Sequence, residues 1–447
     1  MAEDSTRASM RAWMGMAVLA LALAGVMAVL LALSRIPGSE ILFPWPVAFF
    51  ERGLVAHVVF SFVVWFLAAF GLLLALALPS SPRAPLDRIA LGGVSIAFVF
   101  LLIPSVSSRG QPTLNNYIPA ITDPLYYAGL ALLAGALALP VGRFLARNAR
   151  GRIPSSPFAL MLAAGGAAYL FALIAFARSA LALWPFAPSY DFNEALFWGG
   201  GHILQFLNVA ILIAAWIALA EKILGGKVVD KTALRLAAFL LVLGALAGLA
   251  IDFALDVRAP TRRETFALWQ YALAPAPLLA AGALARTLIP AARARPEVRR
   301  DPAFLALVLS LAVFAVGGFL GLFVDGADTR TPAHYHGVIG GINLALMGVF
   351  LGVALPQAGR APRPGRHVAL QIWLYGLGQT IASLGLFWAG GYGAPRKVPA
   401  TEAPGLVELG AKLGLYLNGF GAAVAVMGGV LFIVTVAGAL LRRQRNV

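Results

Sequence analysis

Residues 332–356 read PAHYHGVIGGINLALMGVFLGVALP and contain no Asp, Glu, Lys or Arg. A segment of about 20 mostly apolar residues is long enough to cross a lipid bilayer as a helix. The same segment begins with two histidines, His334 and His336, two positions apart. It therefore predicts a transmembrane helix that carries imidazole groups near one of its ends.

The rest of the chain repeats this pattern. It has 447 residues, 60% of them hydrophobic, and offers about twelve such apolar segments with no soluble-domain-sized stretch between them. We predict an all-α integral membrane protein, a twelve-helix bundle forming a single transmembrane domain over residues 1–447. The predicted helices cover residues 12–34, 52–79, 88–104, 124–146, 157–184, 194–220, 232–256, 265–290, 303–324, 332–356, 368–391 and 411–441.

The net charge of +15 is spread over loops, which argues against nucleic acid as a partner. Lys and Arg concentrate in every second loop, so the positive-inside rule places those loops, and both termini, in the cytoplasm of a bacterial-type inner membrane. Even-numbered helices then begin on the outer side. Absence of cysteine excludes disulfides, thiolate metal sites and covalent c-type haem attachment.

Four of the five histidines, His57, His202, His334 and His336, fall in the outer third of this predicted bilayer, and His367 falls on the inner side. A histidine in lipid is costly unless it is paired or ligated. Two positions on a helix are about 200° apart, so His334 and His336 point to opposite sides and can serve two cofactors. Two capping histidines at a helix start are the alternative.

Two imidazoles from two helices make a low-spin haem, whereas one imidazole leaves an iron position open for a small gas. We therefore expect one of the helix-10 histidines to share a haem with His57. The other would bind a second haem that faces His202.

Several segments resemble subunit I of the haem–copper oxidase superfamily, of the cytochrome c oxidase and nitric oxide reductase type. They are 328–336 with 344–348, the helix around His57, 196–202, 116–119 with 123–127, and 388–390 with 395–397. The resemblance implies a respiratory-chain oxidoreductase with two haems, low-spin on His57 and His336 and high-spin on His334. It implies that Arg396 and Lys397 hold haem propionates, although a solvated basic loop is an alternative. Electrons would come from a separate subunit, cytochrome c or cupredoxin.

The predicted seventh helix departs from the family because it has no histidine for the second metal, which makes copper doubtful. Asp252 and Asp256, four positions apart, share a helix face and could hold iron, manganese or calcium with His202. Ion pairs with Arg178, Arg258, Arg262 or Arg263 are the alternative. His202 itself could be a distal hydrogen-bonding residue, a metal ligand or a core histidine. Tyr271 is the nearest substitute for the family's tyrosine, and no ionisable proton relay from the cytoplasm is evident.

Three function classes remain open. The first is a haem oxidoreductase that reduces O2 or NO, including a nitric oxide reductase-like enzyme with a non-copper second metal. The second is a catalytically degenerate haem protein that transfers electrons, senses a gas or serves as an accessory subunit. A solute transporter also fits twelve helices, but it leaves the one-sided histidines unexplained.

Overall fold

The computed structural model describes residues 2–34, 49–78, 84–151, 156–226, 230–324, 326, 328–397 and 408–442. This part of the chain forms twelve long helices, numbered α1 to α12 in chain order. They are Ala2–Leu33, Phe49–Ala77, Ala84–Val106, Pro124–Ala149, Pro157–Leu183, Tyr190–Leu224, Lys231–Ala254, Pro260–Ala294, Pro302–Phe323, Arg330–Gln357, Arg366–Gly391 and Leu409–Leu441.

Each predicted helix overlaps one of these twelve, so the predicted all-α membrane fold is confirmed. The last position of the predicted helix 52–79 lies outside the described residues. Within the described residues, eleven helices are long and apolar enough to cross a membrane; α11 is the twelfth and carries several polar residues.

Local sequence explains where several helices begin. Asp123, Ser156 and Asp301 each precede a proline, and each side chain accepts a hydrogen bond from a backbone N–H of the first turn. Such residues pair backbone donors that a helix cannot pair itself, and proline suits the first helical position. These three helix starts are therefore encoded locally.

The chain divides into two compact units. The first comprises Met1–Ala28, Val47–Ile217 and Val228–Thr287 and contains the pairs α3–α4 and α5–α7. The second comprises Val29–Pro46, Ala218–Lys227 and Leu288–Val447; in it α10 packs on both α9 and α11, and α11 packs on α12. The single-domain organisation stays a prediction.

Glycines hold α11 against α12 in the second unit. A Cβ added to Gly428 of α12 would lie 2.5 Å from the backbone nitrogen of Tyr375, and one added to Gly414 would lie 2.5 Å from that of Ala389. Larger residues would force the two backbones apart. This close approach fixes the rotation of α11 and leaves another face of the helix for α10.

Candidate functional site

His57 lies in α2 with one ring nitrogen tied to the neighbouring helix. Its Nδ1 is 2.9 Å from the carbonyl oxygen of Ala24 in α1. Because a carbonyl only accepts, Nδ1 carries the proton and Nε2 keeps its lone pair. The helix changes to π geometry directly afterwards, over Val59–Val64, and such π segments are frequent at functional sites. The ring is thus oriented as a metal-ligating histidine requires.

His334 has the same arrangement in α10. Its Nδ1 is 2.8 Å from the carbonyl oxygen of Gly317 in α9, and the ring packs over Gly321, where an added Cβ would lie 2.6 Å from Nδ1. His336 is half-buried two positions further on, with its ring centroid 5.2 Å from that of Tyr335. Helix α10 therefore presents two half-buried imidazoles from its first two turns.

The loop that carries Arg396 and Lys397 is attached to the start of α10. The backbone N–H of Thr329 donates to the carbonyl oxygen of Ala394 at 3.0 Å, and Asp328 pairs with Pro395 in an isolated β-bridge. Both basic side chains are half-buried. The structure therefore holds this basic pair beside the first turn of the helix that carries His334 and His336.

His202 in α6 is different because both of its ring nitrogens are engaged. Nδ1 is 2.8 Å from the carbonyl oxygen of Trp198, and Nε2 is 2.7 Å from the hydroxyl of Tyr117. The rings of Tyr117, Trp198 and Phe266 surround the imidazole at centroid distances of 4.4, 5.0 and 5.0 Å. Because Nδ1 is protonated, Nε2 accepts a hydrogen bond from the Tyr117 hydroxyl. The lone pair of Nε2 is therefore not available to a metal.

Tyr117 is held in place by the loop between α3 and α4. This loop contains two short antiparallel strands, β1 (Pro112–Thr113) and β2 (Ala120–Ile121). Asn116 donates to the buried carboxylate of Glu194 from its backbone nitrogen at 2.8 Å and from Nδ2 at 2.7 Å. Tyr117 has a φ of 62°, and its ring fills the space beside Gly201. Burial and the charge of Glu194 raise the pKa of Tyr117 above its usual range, so the phenol stays a neutral donor.

Asp252 in α7 is the centre of a buried ion cluster. Arg262 donates to its Oδ1 from Nε at 3.0 Å and from Nη2 at 2.6 Å, and Arg178 donates to Oδ2 at 3.2 Å. The remaining Arg262 donors reach the carbonyl oxygens of Ala195 and Val257 and the hydroxyl of Ser179. The guanidinium is therefore satisfied by protein groups on every side.

Asp256 lies one turn beyond Asp252, after the end of α7. Its Oδ1 accepts a hydrogen bond from the backbone N–H of Arg258 at 2.9 Å, and the guanidinium of Arg258 lies 4.4 Å from the ring centroid of Phe186. The carboxylate of Asp256 thus shapes the turn into α8. For Asp252 the geometry favours ion pairing, the alternative to metal ligation.

Tyr117 and Glu194 were not among the predicted site residues. Sequence reasoning placed residues 116–119 in a segment similar to the family but looked to Tyr271 for a tyrosine near His202. Tyr271 is 53% exposed, whereas Tyr117 bonds His202 directly. The contact joins residues 85 positions apart, and the left-handed conformation of Tyr117 has no reliable sequence signal.

These features define a multi-pass α-helical membrane protein with oriented imidazoles. The family model of cytochrome c and quinol oxidase polypeptide I matches residues 9–440, and the chain belongs to this family, which is the haem–copper oxidase subunit I family. Members work in a membrane with cytochrome c or quinol as electron donors and normally bind haems.

Two individual relatives and one solved structure are similar to this chain. The chain is 29% identical to an uncharacterized protein of Aquifex aeolicus, over 74% of this chain and 80% of that protein. It is 27% identical to cytochrome c oxidase subunit 1 of Thermus thermophilus, over 57% of this chain and 49% of that protein. A solved haem–copper terminal oxidase dimer has the same fold, with a TM-score of 0.78 and 17% identity over 98% of this chain and 84% of that one.

The two groups that this family implies fit the chain differently. His57 and His334 fit haem iron, because a carbonyl holds Nδ1 and Nε2 makes no hydrogen bond within the described residues. A second metal does not fit, since Nε2 of His202 accepts from Tyr117 and Asp252 is neutralised by two arginines. Among the described residues, no three His, Cys, Asp or Glu side chains are grouped as a metal site would require.

Proposed function

We propose that this chain is a membrane haem-binding oxidoreductase subunit of the inner membrane of a bacterium, with both termini in the cytoplasm. His57 and His336 would hold one haem, of the low-spin type, and His334 would hold a second haem, of the high-spin type. Arg396 and Lys397 pair with haem propionates, as guanidinium and ammonium groups pair with carboxylates. When bound, haem would supply reversible one-electron chemistry, and the haem on His334 would supply a binding site for O2 or NO.

One observation carries the proposal: His57 and His334 each donate from Nδ1 to a backbone carbonyl of a neighbouring helix. Each carbonyl selects the tautomer that leaves Nε2 as the ligating nitrogen and fixes the plane of the ring. Electrons come from a separate cytochrome c or cupredoxin-type subunit, because the chain has no cysteine for a dicopper or covalent haem centre.

The engaged His202 favours a second candidate, a catalytically degenerate haem protein that transfers electrons, senses a gas or serves as an accessory subunit. An oxidase or nitric oxide reductase-like activity with a non-copper second metal needs donor atoms beside the high-spin haem. In this chain Tyr117 already donates to Nε2 of His202, and Arg262 and Arg178 pair with Asp252. Tyr117 and His202 would instead provide hydrogen-bonding groups for a small ligand of the haem.

The test is a haem count on purified protein with reduced-minus-oxidised and CO-difference spectra. We expect two haems, one of which binds CO. His57→Ala and His336→Ala should each abolish the low-spin spectrum, and His334→Ala should abolish the CO response. His367→Ala is the matched control because this histidine is exposed at the first turn of α11.

The possible results separate the candidates. A low-spin spectrum that survives His57→Ala refutes the axial pairing. One low-spin haem with no CO response favours the degenerate electron-transfer candidate. Absence of any haem refutes the proposed function and returns the transporter class to consideration.

A further inference from the structure

A cavity of about 430 Å³ lies where α5 and α7 end, within the first compact unit. It is lined by Ala182, Leu183, Phe186, Asp256, Val257 and Arg258. Arg178 of α5 joins the two helices here, since its Nη2 donates to the carbonyl oxygen of Leu255 at 2.8 Å. Binding sites for small ligands have volumes of about 300–1,000 Å³, so the cavity is large enough for a small polar ligand.

The cavity wall carries one negative and one positive side chain that do not pair with each other. Within the described residues, the carboxylate of Asp256 accepts one hydrogen bond, from the backbone N–H of Arg258 at 2.9 Å. The guanidinium of Arg258 lies 4.4 Å from the ring centroid of Phe186 and donates no hydrogen bond to any described residue. A guanidinium has five N–H donors in a plane that suits phosphate. Both charged groups are therefore available to a ligand in the cavity.

The other walls are apolar and continue into an apolar surface. Leu181, Trp184 and Phe253 lie beside the cavity in the chain and are 76%, 85% and 58% exposed. In a membrane protein such side chains at helix ends contact lipid, and tryptophan is enriched where the membrane meets water. A ligand with a hydrocarbon tail can therefore leave the cavity along these side chains.

Helix length places the cavity at the depth of lipid headgroups. α5 has 27 residues and α7 has 24, which corresponds to about 40 and 36 Å at 1.5 Å per residue. The hydrocarbon core of a bilayer is about 30 Å thick, and about 40–45 Å with both headgroup layers. α7 begins at Lys231, and α5 follows Arg150 and Arg152, so both helices start at the basic side of the bundle. Their far ends therefore reach the opposite headgroup layer.

The charges of the cavity favour a zwitterion. The last carbonyls of a helix carry a partial negative charge, equivalent to about half an elementary charge, and two helices end here beside Asp256. This side of the cavity attracts a cation, whereas Arg258 attracts an anion. A ligand with only a negative charge would be repelled by Asp256. A small soluble zwitterion would leave the apolar walls without a partner.

We propose that this cavity binds the headgroup of a zwitterionic phospholipid of the phosphatidylethanolamine type. Arg258 pairs with the phosphate, and Asp256 accepts hydrogen bonds from the ammonium group. An acyl chain lies along Leu181 and Phe253. The ammonium N–H groups distinguish this lipid from phosphatidylcholine, whose quaternary nitrogen has no hydrogen to donate. Lipid binding here joins the ends of α5 and α7 and requires no haem.

Lipid binding is tested by native mass spectrometry of the full-length protein, delipidated in detergent and titrated with phosphatidylethanolamine, phosphatidylcholine or phosphatidylglycerol of identical acyl chains. We expect one phosphatidylethanolamine to bind several-fold more tightly than either of the other two. Equal binding of all three overturns the proposal, because it describes a nonspecific lipid shell. Glycerophosphoethanolamine, the headgroup without acyl chains, should not displace the lipid at equal concentration. Displacement would overturn the lipid assignment in favour of a soluble ligand.

Two variants assign the roles of the charged side chains. Arg258→Gln should weaken phosphatidylethanolamine binding at least about tenfold, since it removes the charged donor to the phosphate. Asp256→Asn should instead remove the discrimination against phosphatidylglycerol. Arg263→Gln and Glu264→Gln are matched controls, because both residues are exposed in the first turn of α8 and neither lines the cavity.

Unchanged lipid binding in Arg258→Gln, or an equal loss in Arg263→Gln, overturns the proposed site. Far-ultraviolet circular dichroism of the same samples shows whether each variant is folded. The comparison of the three lipids on the unmodified protein needs no variant, so it decides the question even where a variant unfolds.

Discussion

Replacing Asp252 with asparagine should destabilise the protein by about 3–5 kcal/mol, because it leaves a buried guanidinium without its counter-charge. The magnitude follows from the burial of the pair. The side chains of Asp252 and Arg262 are 0% and 1% exposed, and two hydrogen bonds of 2.6 and 3.0 Å join them. Arg178, 23% exposed, adds a second positive charge on the other carboxylate oxygen. Asparagine keeps one acceptor oxygen, so we expect the lower end of the range.

The assay is unfolding in mixed detergent micelles, followed by far-ultraviolet circular dichroism. Asp230→Asn is a matched control at the opposite end of the same helix. Asp230 lies 3.5 Å from Arg286, whose side chain is 72% exposed, and exposed pairs contribute about 0–1 kcal/mol. Asparagine also replaces aspartate well as the first capping residue of α7.

A double variant separates the charge from the loss of contacts. Asp252→Asn combined with Arg262→Met removes both fully buried charges, and we expect it to be more stable than Asp252→Asn alone because only the partly exposed Arg178 is then left without a counter-charge. The reasoning is refuted if Asp252→Asn is no more harmful than Asp230→Asn. Loss of a bound metal ion in Asp252→Asn, measured by elemental analysis, would instead identify Asp252 as a ligand.

Three further substitutions test the neighbourhood of His202 and the buried Gln371 of α11. Tyr117→Phe removes the hydroxyl bonded to His202 and should cost about 1 kcal/mol in unfolding experiments near pH 7. Because the raised pKa keeps Tyr117 protonated only in the folded state, the wild-type advantage should fall by about 1.4 kcal/mol per unit above pH 10; a pH-independent difference contradicts this. Gly201→Ala, whose Cβ would lie 2.7 Å from Tyr117, should destabilise by about 1–3 kcal/mol, whereas Gly135→Ala, with open space around it, should not. Gln371→Leu should change stability by less than about 1 kcal/mol if water pairs the buried amide, and a clear gain in the unfolding assay would indicate that the amide has no partner.

The helices were predictable because each is a long apolar run, and a run of about 20 mostly apolar residues is enough to predict a membrane-spanning helix. His334 and His336 were recognisable as a pair because their spacing within such a run has a direct geometric meaning. The loop of Arg396 and Lys397 was recognised by resemblance, and the structure attaches it to the start of α10. Features of this kind lie within one short segment and can be recognised from a single sequence.

The contacts that decide the chemistry were not predictable in the same way. Asp252 and Arg178 are 74 positions apart, and the sequence offered four arginines as partners without choosing among them. Gln371, Tyr375, Gln379 and Ser383 are four positions apart along α11. This spacing does not tell whether that face of α11 meets lipid, water or α10, whereas the hydrogen bond from Asn343 to Tyr375 shows that it packs against α10.

His57, His202 and His334 each have Nδ1 held by a backbone carbonyl, and they differ at Nε2. Nε2 of His57 and Nε2 of His334 keep the lone pair with which an imidazole binds a metal, whereas Nε2 of His202 accepts a hydrogen bond from the Tyr117 hydroxyl. Freeing Nε2 of His202 by Tyr117→Phe still leaves one imidazole without a second ligand, because Asp252 stays paired with Arg262. A single imidazole binds a transition metal weakly. A second metal would therefore require two contacts to change together, the Tyr117–His202 hydrogen bond and the Asp252–Arg262 ion pair. Both contacts favour His202 as a hydrogen-bonding residue over His202 as a metal ligand.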